Sequence, residues 1–289
     1  MERYINCIAY GGSEGNLLVG EDFTALFDCG MAFCANDTIQ NVKNALADRP
    51  LDYVFITHTH YDHVGALPFF RKEWPQLRLV TSEIGAAILV KDTPRRVIRE
   101  FSVSAAKSHG VTYDINYSDN DFHAEIVVKD KDIIPLGGLS VEVLETPGHT
   151  RDSLCYFIPE LALLILNETP GVLLSDGSIC PCYLTSYSDT IHSIEKCLRI
   201  RYKYLSLPHR GIVNNNDADG FLNKTLAVNA ACRDFILGMN EKNLDKNDIL
   251  DLFCQKYSSE LLLRYQPKEA FIVNARATIA CTLREFASG

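Results

Sequence analysis

At 289 residues with a 47% apolar share, the chain is long enough to bury one large layered domain, or a domain with an appendage. Its 28 basic and 37 acidic residues give a net charge of −9, which disfavours nucleic acid as a partner and offers membrane phosphates no broad attraction. No basic, apolar leader opens the sequence and no apolar run reaches spanning length, so a cytoplasmic protein with ten reduced cysteines is expected.

Short β-rich runs come first, at Tyr4 to Ile8, Asn16 to Val19 and Phe23 to Asp28, punctuated by Gly11-Gly12 and Gly20. They predict the opening antiparallel strands of a sheet. Behind an Asn36-Asp37 start signal, Ile39, Val42, Ala45 and Leu46 recur at helical spacing up to Ala47, and a buried strand, Tyr53 to Ile56, follows. Directly after it stands Thr57-His58-Thr59-His60-Tyr61-Asp62-His63. Few folding needs explain three imidazoles and a carboxylate packed so closely. Residues two apart in extended chain share a side, so His58 and His60 can present nitrogens to one ion. A turn eased by Gly65 would swing Asp62 and His63 toward a second ion beside it. Imidazole with hard oxygen is a ligand set for transition metals.

The alternation continues with a helix over Ala66 to Trp74, a strand over Leu77 to Thr81 and a helix over Ile84 to Val90. Residues 92–130 depart from it, with a helix at Arg95 to Ser108 and an exposed loop at Ser118-Asp119-Asn120-Asp121, and read as an insertion near the site. Strands return at Ile133-Ile134, Leu139 to Leu144, Ser153 to Ile158 and Leu161 to Leu166, the first two joined through Gly137-Gly138. Each later strand end carries a candidate ligand. His149 sits in Glu145-Thr146-Pro147-Gly148-His149-Thr150, Glu168 follows Leu163 to Leu166, and His209 follows the strand Tyr204 to Leu207. Asp176 is a weaker carboxylate candidate than Glu168, and Asp28, at the end of an early strand, is placed to orient a ligand histidine. His109, His123 and His192 lie outside these motifs; Cys180-Pro181-Cys182 and the basic clusters Arg95-Arg96 and Arg199-Ile200-Arg201-Tyr202-Lys203 read as incidental or solvated. From residue 217 onward helical patterns dominate, at Phe221 to Met239, Asn247 to Tyr257 and Pro267 to Phe286, with Phe271 to Val273 the one strand-like run.

Together these motifs resemble the metallo-β-lactamase superfamily, whose HxHxDH motif matches His58, His60, Asp62 and His63 without a gap. Its later histidines match His149 and His209 and its early strand-end aspartate matches Asp28, so the likeness covers roughly residues 1–215. What it implies is an α/β, four-layered αββα sandwich over 1–216 with the site at one edge of the two sheets, and a helical extension over 217–289 flanking the mouth. Family members with such tails, the glyoxalase II-like and quinolone-signal response thioesterase-like proteins, use them to shape a substrate pocket. One departure stands out: the family usually bridges its ions with aspartate, and this chain offers Glu168.

The expected cofactors are two divalent ions, zinc first with iron or manganese open. His58, His60 and His149 would hold one ion and Asp62, His63 and His209 the other, with Glu168 spanning both. A hydroxide activated by these metals would attack a small ester, thioester or lactone, and Asp62 would help manage the proton. The stretch 169–208 leaves no room for the extra domain of the family's nuclease branches. Two other readings stay open, a mononuclear iron dioxygenase-like enzyme and a non-catalytic metal-binding signalling protein. A small molecule is the expected partner, and a homodimer is compatible with the sequence.

Overall fold

A computed structural model of the protein describes residues 3–8, 15–113, 116–213, 218 and 220–287. Gly11-Gly12 and Asp217 lie outside the described residues. The first sheet has six strands in sequence order: β1 (Tyr4–Asn6), β2 (Asn16–Val19), β3 (Thr24–Phe27), β4 (Tyr53–Phe55), β5 (Arg78–Ser82) and β6 (Ile126–Val128). The first three pair antiparallel, and β3 to β6 run parallel. Parallel neighbours need crossovers. These are helical: α1 (Ala35–Leu46) links β3 to β4, and α2 (Tyr61–Val64) with α3 (Leu67–Glu73) links β4 to β5. Between β5 and β6 come α4 (Glu83–Leu89) and α5 (Asp92–Ser108), so the segment 92–130 both departs from the sheet and returns to it as its edge strand.

The second sheet runs β14-β13-β10-β9-β8-β7, built from β7 (Ile133–Pro135), β8 (Ser140–Glu145), β9 (Leu154–Ile158), β10 (Leu163–Ile165), β13 (Tyr204–Leu207) and β14 (Gly211–Ile212). A small hairpin of β11 (Val172–Leu173) and β12 (Ile179–Cys180) stands apart, and α6 (Tyr187–Leu198) crosses over before β13. Gly137 and Gly138 take positive φ, +79° and +64°, in the turn between β7 and β8.

Strand alternation assigns side chains to layers. On β3 and β4, Ala25, Phe27, Tyr53 and Phe55 face the second sheet, meeting Val141, Val143, Tyr156 and Ile165 in an inter-sheet core. Leu26, Val54 and Ile56 point the other way, into a core closed by Val42 of α1, Phe70 of α3 and Ile98 of α5. On the far side, Leu144, Cys155, Leu164 and Leu205 pack on Ile194 and Cys197 of α6. Three cores between four layers make the αββα sandwich. A fourth cluster joins the later helices, α7 (Phe221–Glu241), α8 (Lys246–Tyr257), α9 (Leu262–Tyr265) and α10 (Lys268–Phe286), to Val172, Leu174, Tyr183 and Tyr187. The tail helices thus share a core with the hairpin and α6.

The strand-like run Phe271 to Val273 is the second turn of α10, where Phe271 and Ala275 lie four apart on the buried face. The hairpin and α6 have no counterpart in the sequence reading. For α6 a signal existed, because Ser186 accepts from the Asp189 backbone N–H in an N-cap, with Ile194 and Cys197 on one face. No helix among the described residues is long and apolar enough to cross a membrane.

Candidate metal centre

β3 and β4 are parallel and so end at one edge of the first sheet; β8, β10 and β13 share a direction in the second, β8 being two antiparallel steps from β10. Their C-terminal loops therefore gather at one rim. Hydrogen bonds stitch the sheets there: Leu154 N–H donates to Thr57 O at 2.7 Å, the Tyr156 hydroxyl to Ile56 O at 2.6 Å, Thr59 N–H to Asp152 Oδ2 at 2.9 Å and the Ser82 hydroxyl to Asp152 O at 3.2 Å.

His58, His60, Asp62, His63, His149, Glu168 and His209 all arrive at this rim, with Asp28 behind them. One group joins His58, His60, His149 and Glu168, the other Asp62, His63, Glu168 and His209, with the candidate atoms of each group within 4.8 Å of one another. Glu168 belongs to both. Its Oε2 lies 2.8 Å from His149 Nε2 and 3.8 Å from His58 Nε2, while Oε1 lies 2.7 Å from His209 Nε2 and 4.0 Å from His63 Nε2. In the first group His60 Nδ1 stands 3.1 Å from His58 Nε2 and 3.0 Å from His149 Nε2.

Outer contacts fix which nitrogen each ring turns inward. The Thr57 hydroxyl donates to Asp28 Oδ2 at 2.9 Å, leaving its lone pair to accept from His58 Nδ1–H at 3.1 Å. His63 Nδ1–H donates to the same Asp28 Oδ2 at 3.0 Å, and His149 Nδ1–H donates to Cys182 O at 2.7 Å. In the neutral rings the inward Nε2 atoms of His58, His63 and His149 are then bare lone pairs. They face each other, His60 Nδ1 and a carboxylate. Acceptors so placed repel unless a cation lies among them, and the buried His63 Nε2 has no hydrogen-bond partner among the described residues. Divalent ions therefore fit this donor set, which matches imidazole and carboxylate preferences.

The electrostatics of the site agree. Burial, and then the imidazoles of His63, His60 and His149, hold His58 well below the ordinary histidine range; burial and His149 bring His60 down to about 4. Burial opposes a charge on His63 too, but the carboxylates of Asp28 and Asp62 outweigh it and push His63 up to about 9. Burial likewise works against the Glu168 anion, yet His149 and His209 keep it well below the carboxylate range. His58 and His60 are thus held as neutral rings and Glu168 as the anion, the forms that bind a cation, and only His63 is shifted toward carrying a proton.

Local backbone is built around these positions. Gly148 has φ +141°, and a Cβ there would fall 2.1 Å from Thr190 Oγ1, so only glycine lets the turn before His149 close against α6. Asp28 and His209 both adopt left-handed backbone, φ +56° and +61°, a cost tolerated where geometry is demanded. Asp28 uses Oδ1 to accept from Thr57 N–H at 2.7 Å and so pins the motif loop to β3. Asp176 is no part of the site; it is exposed and turns the hairpin by accepting from Ser178 N–H at 2.9 Å. His109, His123 and His192 also stay outside both groups. The sequence reading missed two supports, Asp152 and the Cys182 carbonyl. Asp152 had a faint signal, a carboxylate three residues past His149 at the entry to a strand; a main-chain carbonyl has none.

The metallo-beta-lactamase superfamily domain matches residues 15–169, and the chain belongs to that superfamily, whose members are mostly hydrolases. Among curated relatives, the chain is 24% identical over 220 residues to the metallo-beta-lactamase fold-containing protein ST1585 of Sulfurisphaera tokodaii, covering 73% of this chain and 77% of the relative. It is 28% identical over 116 residues to the probable hydroxyacylglutathione hydrolase glo2 of Schizosaccharomyces pombe, covering 40% of this chain and 31% of that protein. A nitric oxide reductase of Moorella thermoacetica is 27% identical over 174 residues, or 58% of this chain and 37% of the relative. The chain thus spans about a third of the length of these last two. Among solved structures, the metallo-beta-lactamase family protein TTHA1429 of Thermus thermophilus superposes with a TM-score of 0.62 at 18% identity, covering 95% of this chain and 89% of its own, a likeness of fold.

Proposed function

We propose that the protein is a metal-dependent hydrolase of a small ester, thioester or lactone, with its centre at the rim of the two sheets. The observation that carries this reading is Glu168, one carboxylate whose two oxygens face two separate groups of imidazoles at the floor of a cavity. His58, His60 and His149 would hold one divalent ion and Asp62, His63 and His209 a second, with Glu168 between. Bound there, such ions supply Lewis acidity and make water available as a nucleophile at neutral pH.

The chain's own groups do the rest. Asp62 lines the cavity, and its Oδ2 lies 3.9 Å from His63 Nε2 and 4.0 Å from His209 Nε2, so it is placed to take a proton from attacking water. Asp28 and the Cys182 carbonyl keep the ring tautomers that turn lone pairs inward. The apolar walls above lower the local polarity and so strengthen each of these interactions. Hydrolases among the relatives support the reading, as does the absence of strong positive charge.

The likeness to a nitric oxide reductase carries a second reading, redox chemistry at iron. Metal analysis of the purified protein, followed by ester, thioester and lactone hydrolysis and oxygen uptake with zinc, manganese or iron restored, separates the two. Hydrolysis that vanishes on chelation and returns with metal is the expected result. Oxygen uptake without hydrolysis would overturn it.

A further inference from the structure

A cavity of about 280 Å³ opens over the site, with His60, Asp62, Glu168 and His209 on its floor. Its walls come from segments far apart in sequence: Ile88 of α4, Val97 and Phe101 of α5, Val172 of β11, and Leu262 and Ala270 of α9 and α10. Val97 is 39% exposed and stands toward the mouth, whereas Ala270 is buried. On the α10 side two carboxamides break the apolar surface. Asn274 Nδ2 donates to Gln266 Oε1 at 3.4 Å, which leaves Gln266 Nε2 and Asn274 Oδ1 without a partner among the described residues. Among those residues no lysine or arginine lines the cavity, and its only carboxylates are the two at the floor.

This lining selects by charge. Away from the floor an anionic tail would be stripped of water against apolar walls with no lysine or arginine among the described residues to meet it, whereas a hydrocarbon chain would gain by leaving water. At about 30 Å³ for each water-sized group, the space holds on the order of nine methylene-sized units. We propose that the substrate is an uncharged acyl compound whose apolar chain, of up to about nine carbons, lies between α5 and α10. A neutral hydrogen-bonding group on that chain would meet Gln266 and Asn274. The inference rests on the hydrolase reading for the bond that is cut, and on the cavity alone for what is bound.

The metal-loaded protein should be assayed with p-nitrophenyl esters from acetate to decanoate. Calorimetry on the same samples should follow neutral n-alkanamides of matching length, with glutathione as the anionic probe. Affinity for the amides and kcat/KM for the esters should each rise by about fourfold per added methylene until the chamber fills, then level off. Val97→Arg, at a half-exposed helix position that tolerates charge, should flatten both series. A chain-length dependence flat in the parent protein, or glutathione binding more tightly than the nonanamide, would overturn the assignment. Amide binding that climbs with length while no ester turns over would uphold the chamber's ligand class and sink the hydrolase reading instead.

Discussion

The two ligand groups are built differently. In the first, His58 and His149 are fully buried, and their Nε2 atoms lie 3.1 and 3.0 Å from His60 Nδ1, all held by short loops straight off strand ends. In the second, Asp62 Oδ2 is 3.9 Å from His63 Nε2 and 4.0 Å from His209 Nε2, and His209 sits on left-handed backbone. Around His60 the ligand atoms of the first group stand closer together than those around Asp62 in the second, so the second has further to contract about an ion. Preorganisation lowers the cost of binding, so the first group should hold its ion more tightly and the second should empty first under chelation.

The largest effect tests what the groups share. Glu168→Ala removes the only carboxylate common to both and leaves two sets of inward lone pairs without their bridge. Metal content should fall from two ions per chain to one or fewer, and hydrolysis by on the order of 10³-fold, the scale of losing a group that organises transition-state charge. Elemental analysis beside the ester assay checks both. Two ions retained at full rate would show that the groups do not depend on it.

Next come the single-group deletions, which should be unequal. His209→Ala should leave one ion bound in the first group, whereas His60→Ala should strip most metal and most activity, because His60 Nδ1 stands between two other ligand nitrogens. Equal losses in the two variants would erase the distinction between the groups. A smaller change is Asp28→Asn. It removes the charge that His63 Nδ1–H donates to, and should weaken the second ion by about 10-fold to 100-fold while the first is less affected. Titration against a competing chelator reads that difference.

The sequence disclosed this centre and not the chamber above it, for a physical reason. Ligand chemistry is carried by residue type at strand ends, and hydrophobic alternation locates those ends, so His58, His60, Asp62, His63, His149, Glu168 and His209 could all be named before any contact was visible. The four-layered arrangement was legible only through the motifs' resemblance to the superfamily; the alternation agrees with it, Leu26 and Phe27 of one strand facing opposite cores. The chamber is made instead by ordinary apolar residues, Val97 and Ala270 among them, whose types say nothing of which helix lies opposite. The tail's packing also depends on a hairpin whose strands, Val172–Leu173 and Ile179–Cys180, are too short to show a period. Within α10, Phe271-Ile272-Val273 is β-favouring in composition and helical in fact, tertiary burial of Phe271 and Ala275 having overridden local preference.

The smallest effect is expected at His192, and it guards the comparison against the objection that any lost imidazole would matter. His192 is exposed on α6, the helix whose Thr190 packs against the Gly148 turn, so it shares an element with a support of His149 but contributes no atom to either group. Alanine is the better helix former at an open position, so His192→Ala should leave metal content and rate unchanged and raise stability by about 0.5 kcal/mol. Thermal melts of the metal-loaded protein and elemental analysis measure the two quantities together. If His192→Ala instead emptied the centre as fully as His60→Ala, the ligand set drawn from the strand ends would be wrong, because a side chain on the solvent face of α6 has no path to the ions except through a different arrangement of the rim.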